Sequence, residues 1–328
     1  MSSSTPWDTQ PHLDRLVGSG RRWIAVVGDG TAPGGSGAPE PLEWTTQTAL
    51  DVDARLIRGL AQVPTVSVAA ATWDAAPRFA ERIQQMRGHA GAVFLTRTDP
   101  ARARTVQRLV EQAGGPPVLT AEDATAIALT AAALDYLHRL GRDPSHSRIV
   151  IAAAVRMPIL SALLIAVGVP DITLWNTADA MWYSLRRAAR DADVVIDLSR
   201  NDHDDTTDPA EDREAAEFDL DRPEGSVITR RGLDSRALAA PGLLRALVEQ
   251  PRSPLLGLRM YGICAATLAH AAPRRVGLYS RPAGKPTPRA SVIADAIADA
   301  VTLHLTQLRR ESDDDPLRLP IDQPGQPG

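Results

Sequence analysis

The sequence predicts an α/β protein with a first α/β unit followed by a Rossmann-like, doubly wound unit. Three observations support this. Short β-branched apolar runs alternate with stretches of helical apolar spacing from Trp23 to Leu198. Residues 148–180 read strand, turn, helix, strand in roughly thirty residues, the βαβ unit on which dinucleotide-binding domains are built. The chain has 328 residues and is 44% hydrophobic, enough for two domains with a real core.

The elements run in this order. Residues 1–20 are polar and read as a flexible lead-in. Trp23–Val27 (WIAVV) is a buried strand that runs into the glycine- and proline-rich loop 28–41. That loop has the glycine content of a phosphate cradle but lacks the Lys-Ser/Thr ending of a P-loop, so it is read as a structural turn. Helical spacing covers 46–60, 77–87 and 101–113, with strands at 63–70 and 92–95. Thr120 is the expected N-cap of a long helix over 121–140, with Asp123 three residues on. The βαβ unit consists of a strand at 149–151, a helix at 159–167 and a strand at 172–175. A helix over 180–190 and a strand over 192–198 come next. Residues 201–217 are strongly acidic without EF-hand spacing and read as a solvated loop. A strand at 226–229 and helices at 241–250, 258–270 and 290–307 complete the fold, and 309–328 reads as a disordered tail.

Composition narrows the function. The net charge of −4 offers no basic face for nucleic acid or an anionic membrane. Cys264 is the only cysteine, which excludes an internal disulfide and a thiolate-rich metal site. With no signal-peptide pattern and no long apolar run, a cytoplasmic location is expected. Lys285 is the only lysine, so chemistry that needs a lysine base has one candidate, and it sits in a proline-rich loop.

The βαβ turn keeps its frame but not its chemistry. A working turn reads G-x-G-x-x-G, because glycine lets the backbone approach the pyrophosphate. Here the six positions are Ala153, Ala154, Val155, Arg156, Met157 and Pro158. Val155 fills space that phosphates need, and Pro158 removes an N–H from the helix start.

Several separated stretches, in collinear order over about 20–305, resemble the malic enzyme family. WIAVVGDGTAPGGSG (23–37), LIRGLAQVP (56–64), GAVFLTRTDP (91–100) and PVLTAEDATAIALTAAALDYL (117–137) resemble the core of its N-terminal, substrate-type domain. SRIVIAAAVRMPILSALLIAVGVPDITL with ADVVIDLS resembles its NAD(P) domain. LDSRALAAPGLLRALV (233–248) and ASVIADAIADAVT (290–302) are similar to its last conserved runs. The resemblance implies domains over 21–120 and 121–308.

It also implies a divalent metal, NAD or NADP, a lysine base, a tyrosine acid, three carboxylate metal ligands and paired asparagines for oxidative decarboxylation of malate. Matched position by position, this chain departs from nearly all of them. The lysine falls at Asp53, and the Glu-Asp metal pair falls on Leu95 and Thr96. The third ligand falls near Thr120 or Ala121, one or two places from Glu122 and Asp123. The asparagines fall on Ser235 and Arg236, and the ribose-binding acid falls on Asn176. The four tyrosines, Tyr136, Tyr183, Tyr261 and Tyr279, all lie downstream of the acid's position.

The expectation is therefore a malic-enzyme-like protein without oxidative decarboxylation, acting as a binding, regulatory or partner subunit and forming a homo-oligomer or pairing with another protein. No metal is expected, and NAD(P) enters only through the resemblance. The alternatives are an enzyme with altered chemistry, in which Arg156 and Arg236 clamp a small organic acid or a nucleotide, and a divergent active malic enzyme.

Overall fold

A computed structural model describes residues 21–32, 45–72, 74–199, 222–230, 233–250, 256–271 and 288–313. The N-terminal lead-in, the glycine-rich loop beyond Ala32, the acidic stretch 201–217, Lys285 and residues 314–328 lie outside them.

Two parallel sheets form the frame. The first contains β1 (Trp23–Gly28), β2 (Thr65–Ala69), β3 (Ala90–Leu95) and β4 (Val118–Thr120), in the order β2-β1-β3-β4. The second contains β5 (Arg148–Ala152), β6 (Asp171–Trp175), β7 (Val194–Asp197) and β8 (Val227–Thr229), in the order β6-β5-β7-β8. Every paired neighbour is parallel. β1 and β3 are buried along their whole length, as a sheet covered on both faces requires.

The helices are α1 (Thr46–Ala61), α2 (Ala76–Gln85), α3 (Pro100–Gln112), α4 (Ala121–Arg139), α5 (Ile159–Ala166), α6 (Leu185–Ala188), α7 (Ser235–Leu238), α8 (Ala240–Glu249), α9 (Leu258–Ala271) and α10 (Pro288–Asp313). Their starts reflect the chemistry of the free N–H groups. Thr45 caps α1, and Asp99 caps α3 with Pro100 behind it. Thr120 and Asp123 form a complete capping box on α4. α4 is apolar nearly all round because it runs through the interior. One continuous core joins Ile24, Val26 and Phe94 of the first sheet to Ile149, Ile151 and Ile196 of the second through Ile127, Leu134 and Leu137 of α4.

Most elements lie where the periodicity put them, with ends shifted by a residue or two. The helix expected over 180–190 is the main exception. Residues Thr177–Met181 form a 3-10 turn closed by Asn176 and Asp179, and Ser184 then caps the short α6. These polar groups satisfy the local backbone twice over, while Met181 and Trp182 stay in solvent, so no buried face holds one continuous helix. The chain after 309 also differs, since residues 309–313 are the last turn of α10 rather than the start of a tail. Arg309 donates from Nη2 to Gln250 Oε1 and anchors that turn. No helix among the described residues is long and apolar enough to cross a membrane.

The C-terminal helices return to the first sheet, and two glycines permit the approach. A Cβ on Gly91 would lie 2.9 Å from the Val248 Cα of α8. One on Gly242 would lie 2.4 Å from Ala294 O and 2.7 Å from Ile297 Cβ of α10. Gly242→Ala is therefore expected to lower unfolding stability by about 1–3 kcal/mol, read by urea denaturation. An unchanged midpoint would mean that the two helices are not tightly packed there.

Candidate functional site

In open parallel sheets, ligands bind beyond the carboxyl ends of the strands. At this edge of the first sheet, β1 and β3 converge so closely that a Cβ on Gly28 would lie 2.3 Å from Thr96 O. Beyond Thr96 the chain turns through Arg97, whose φ of 53° lies in the left-handed region and costs a non-glycine residue about 1–2 kcal/mol.

What holds Arg97 there is an ion pair. Its Nε donates to Asp53 Oδ2 at 2.8 Å, and its Nη2 donates to Oδ1 at 3.4 Å. Arg236, from α7, donates from Nη1 to the same Oδ1, and from Nε to Asp234 Oδ1 at 3.2 Å. Asp53 has 0% exposure, Arg97 5% and Arg236 8%. Burial works against the Arg236 charge, but Asp53 and then Asp234 outweigh it and raise the guanidinium above its ordinary value. A carboxylate of α1 is thus clasped by guanidiniums from two distant parts of the chain.

A second network lies on the same edge. The buried carboxylate of Asp29 accepts from Thr31 N at 3.0 Å, Thr31 Oγ1 at 2.7 Å and Arg102 Nε at 2.6 Å. The Asp99 N–H donates to Thr31 Oγ1 at 2.8 Å. The described start of the glycine-rich loop is therefore tied to the β3–α3 connection.

At the head of α4 the two acids differ. Asp123 is occupied, accepting from Thr120 N at 3.0 Å, from Gln107 Nε2 at 2.8 Å and from the Tyr261 hydroxyl. Glu122 is buried, and its Oε2 has no hydrogen-bond partner, while Oε1 lies 3.4 Å from Arg104 Nη1. Burial raises its pKa, with Arg104 opposing. Thr96 Oγ1 is also buried without a partner. The pairing Leu95↔Thr120 puts these two residues just past the ends of neighbouring strands. A cavity of about 370 Å³ opens at the seam between the sheets, lined by Gln107, Val118, Asp123, Ile159, Ala162 and Tyr261 among others.

The turn after β5 is closed by its own side chains. Ala153 sits at φ 56°, in the left-handed conformation that suits glycine. Val155 N donates to Asn176 Oδ1 at 3.1 Å, so the residue at the ribose-binding position binds the turn itself. Arg156 Nη1 reaches the carbonyls of Leu198 at 3.3 Å and Ser199 at 3.2 Å, beyond the end of β7. The expected anion clamps at Arg156 and Arg236 thus donate to oxygens of the chain itself. A turn that spends a backbone N–H on Asn176, spans the crevice with Arg156 and starts its helix at Pro158 does not fit a pyrophosphate.

Asp53 and Arg236, singled out separately from sequence, meet in space although 183 residues apart. Ser235 opens α7 beside Arg236. Arg97 was not singled out, and the one available signal was its position directly after Leu95 and Thr96. Leu95 is buried in the core cluster between the first sheet, α2 and α3. With leucine and threonine here and both Asp53 oxygens taken by guanidiniums, this donor set does not fit a hard divalent cation.

These features define an α/β protein with two parallel sheets sharing one core and a charged site at the carboxyl ends of the first. No protein-family model and no curated protein sequence matches the chain. Solved structures do match. Malic enzyme from Entamoeba histolytica superposes with a TM-score of 0.67 at 17% identity, over 94% of this chain and 77% of that one. Malic enzyme from Pyrococcus horikoshii gives 0.65 at 15% identity, over 94% and 86%. NAD-dependent malic enzyme from Thermotoga maritima gives 0.63 at 14% identity, over 92% and 94%. The fold is that of the malic enzymes.

Glu122 supplies a test of the site's electrostatics. Its raised pKa means that folding favours the protonated form. Its contribution is fully present below the unfolded carboxylate value and is lost as pH rises through the folded value. Glu122→Gln should stabilise the protein at neutral pH and flatten the loss of stability that sets in as pH rises above the ordinary carboxylate value of 4.5, measured by urea unfolding across that range. A pH slope equal to the parent's would contradict this.

Proposed function

We propose that this chain is a malic-enzyme-like protein that lacks oxidative decarboxylation of malate and acts as a binding, regulatory or partner subunit. The observation that carries this is the Asp53 carboxylate, clasped by Arg97 and Arg236 at the position the resemblance assigns to the lysine base. A base must present a free lone pair to the substrate hydroxyl, and both oxygens of Asp53 already accept from guanidiniums. The closed turn at 153–158 and the apolar Leu95 argue in the same direction for NAD(P) and metal. The binding role rests on the cavity at the seam, whose volume lies in the range of small-molecule sites. Met181 and Trp182, at 88% and 81% exposure, add support for contact with a second protein surface.

An assay of purified protein with malate, Mg²⁺ or Mn²⁺, and NAD or NADP is expected to give no turnover above background. Calorimetry is expected to give no NAD(P) binding. A kcat of about 1 s⁻¹ or more, the ordinary range for enzymes, would overturn the proposal.

One observation favours an enzyme of altered chemistry instead. The orphaned Glu122 Oε2 and Thr96 Oγ1 are polar groups that the hydroxyl of a bound small hydroxy acid would satisfy, donating to the carboxylate oxygen. That reading requires small hydroxy acids to raise Tm in the parent and to lose this effect in Glu122→Ala.

A further inference from the structure

We propose that His138 and His270 form a surface site for a divalent transition metal, joining the C-terminal ends of α4 and α9. It shares no residue with the Asp53 cluster or with the turn at 153–158.

The two helices run side by side in the same direction. Their first turns meet through Asp123 and the Tyr261 hydroxyl, and their last turns meet through the two imidazoles. The ring centroids are 5.0 Å apart and the rings are tilted by 57°. Two imidazole nitrogens on one tetrahedral zinc, each about 2.0–2.1 Å from the metal, place their ring centroids about 5 Å apart. The centroid separation of the pair is therefore compatible with one metal held by both rings.

The hydrogen bonding of His270 also suits a ligand. His270 Nδ1 lies 2.7 Å from Ala266 O, and because a carbonyl only accepts, Nδ1 carries the proton. The lone pair of the neutral ring is then on Nε2. This is the arrangement of metal-bound histidines, whose second nitrogen donates to a carbonyl or carboxylate.

The electrostatics favour a cation. Both histidines lie in the last turn of a helix, and the two helices are parallel, so each dipole presents its cation-favouring end here. Asp135, one turn before His138 and bridged to Arg139 at 3.3 Å, adds a carboxylate nearby. Both histidines are exposed, so a metal can reach them. No third His, Cys, Asp or Glu joins them among the described residues, so water fills the remaining positions and the metal exchanges. Imidazole donors select zinc, copper or nickel over magnesium or calcium.

The test is calorimetric titration of untagged protein with ZnCl₂, alongside thermal unfolding with and without zinc. The expected result is saturable zinc binding that raises Tm. His138→Ala and His270→Ala should each weaken binding by about tenfold or more and abolish the Tm rise, while His146→Ala leaves both unchanged. Circular dichroism checks that the variants fold. The proposal is overturned if the parent binds no zinc, or if the His138→Ala/His270→Ala double variant binds zinc as the parent does.

Discussion

A carboxylate with no solvent exposure, held between two guanidiniums, is the interaction on which the rest of this molecule depends. Asp53 belongs to α1, Arg97 comes directly after β3, and Arg236 arrives on α7 after the second sheet is complete. Pairs of this kind are worth little as a net gain over apolar packing, because removing the charges from water costs several kcal/mol per ion. Once formed, however, they are costly to break, since loss of one partner strands the others in a low dielectric. The left-handed backbone of Arg97, the glycine at the end of β1 and the return of α8 to the first sheet are all consistent with this clasp. It is a point of specificity more than a source of stability.

Chemically, the clasp changes what this edge of the sheet can do. The carboxyl ends of parallel strands are where α/β proteins place reacting groups. Here those ends carry Gly28, Thr96 and Thr120, and the nearest strong charges neutralise one another. The second sheet shows the same pattern. Asn176 bonds the Val155 amide, and Arg156 spans to carbonyls beyond β7, so side chains of the chain itself bridge the crevice. The fold of the malic enzymes is kept, while the charged groups at these strand ends face each other.

Much of this was legible in the sequence, for physical reasons that can be stated. Unbroken apolar runs of strand or helix length report elements buried on every side, so β1, β3, β5 and α4 could be read directly. Thr120 and Asp123 announced a capping box because that chemistry is local. Asp53 and Arg236 stand out separately in the sequence and meet in one contact in the structure. The partners were not legible. Nothing local in Arg97 says that it will meet a carboxylate 44 residues away, because ion pairs between elements depend on how the elements pack. The expected helix at 180–190 failed for the converse reason. Its periodicity competes with Asn176, Asp179 and Ser184, whose side chains offer the backbone nearer partners than a second helical turn would.

The most direct test of the clasp is a double-mutant cycle between Asp53 and Arg236, using Asp53→Asn, Arg236→Gln and the double variant in urea unfolding. A buried, hydrogen-bonded pair predicts that each single change costs about 3–5 kcal/mol, and that the double variant costs at least about 2 kcal/mol less than the two added together. Additive losses, with a coupling within about 0.5 kcal/mol of zero, would contradict the claim that this carboxylate and guanidinium hold the site together.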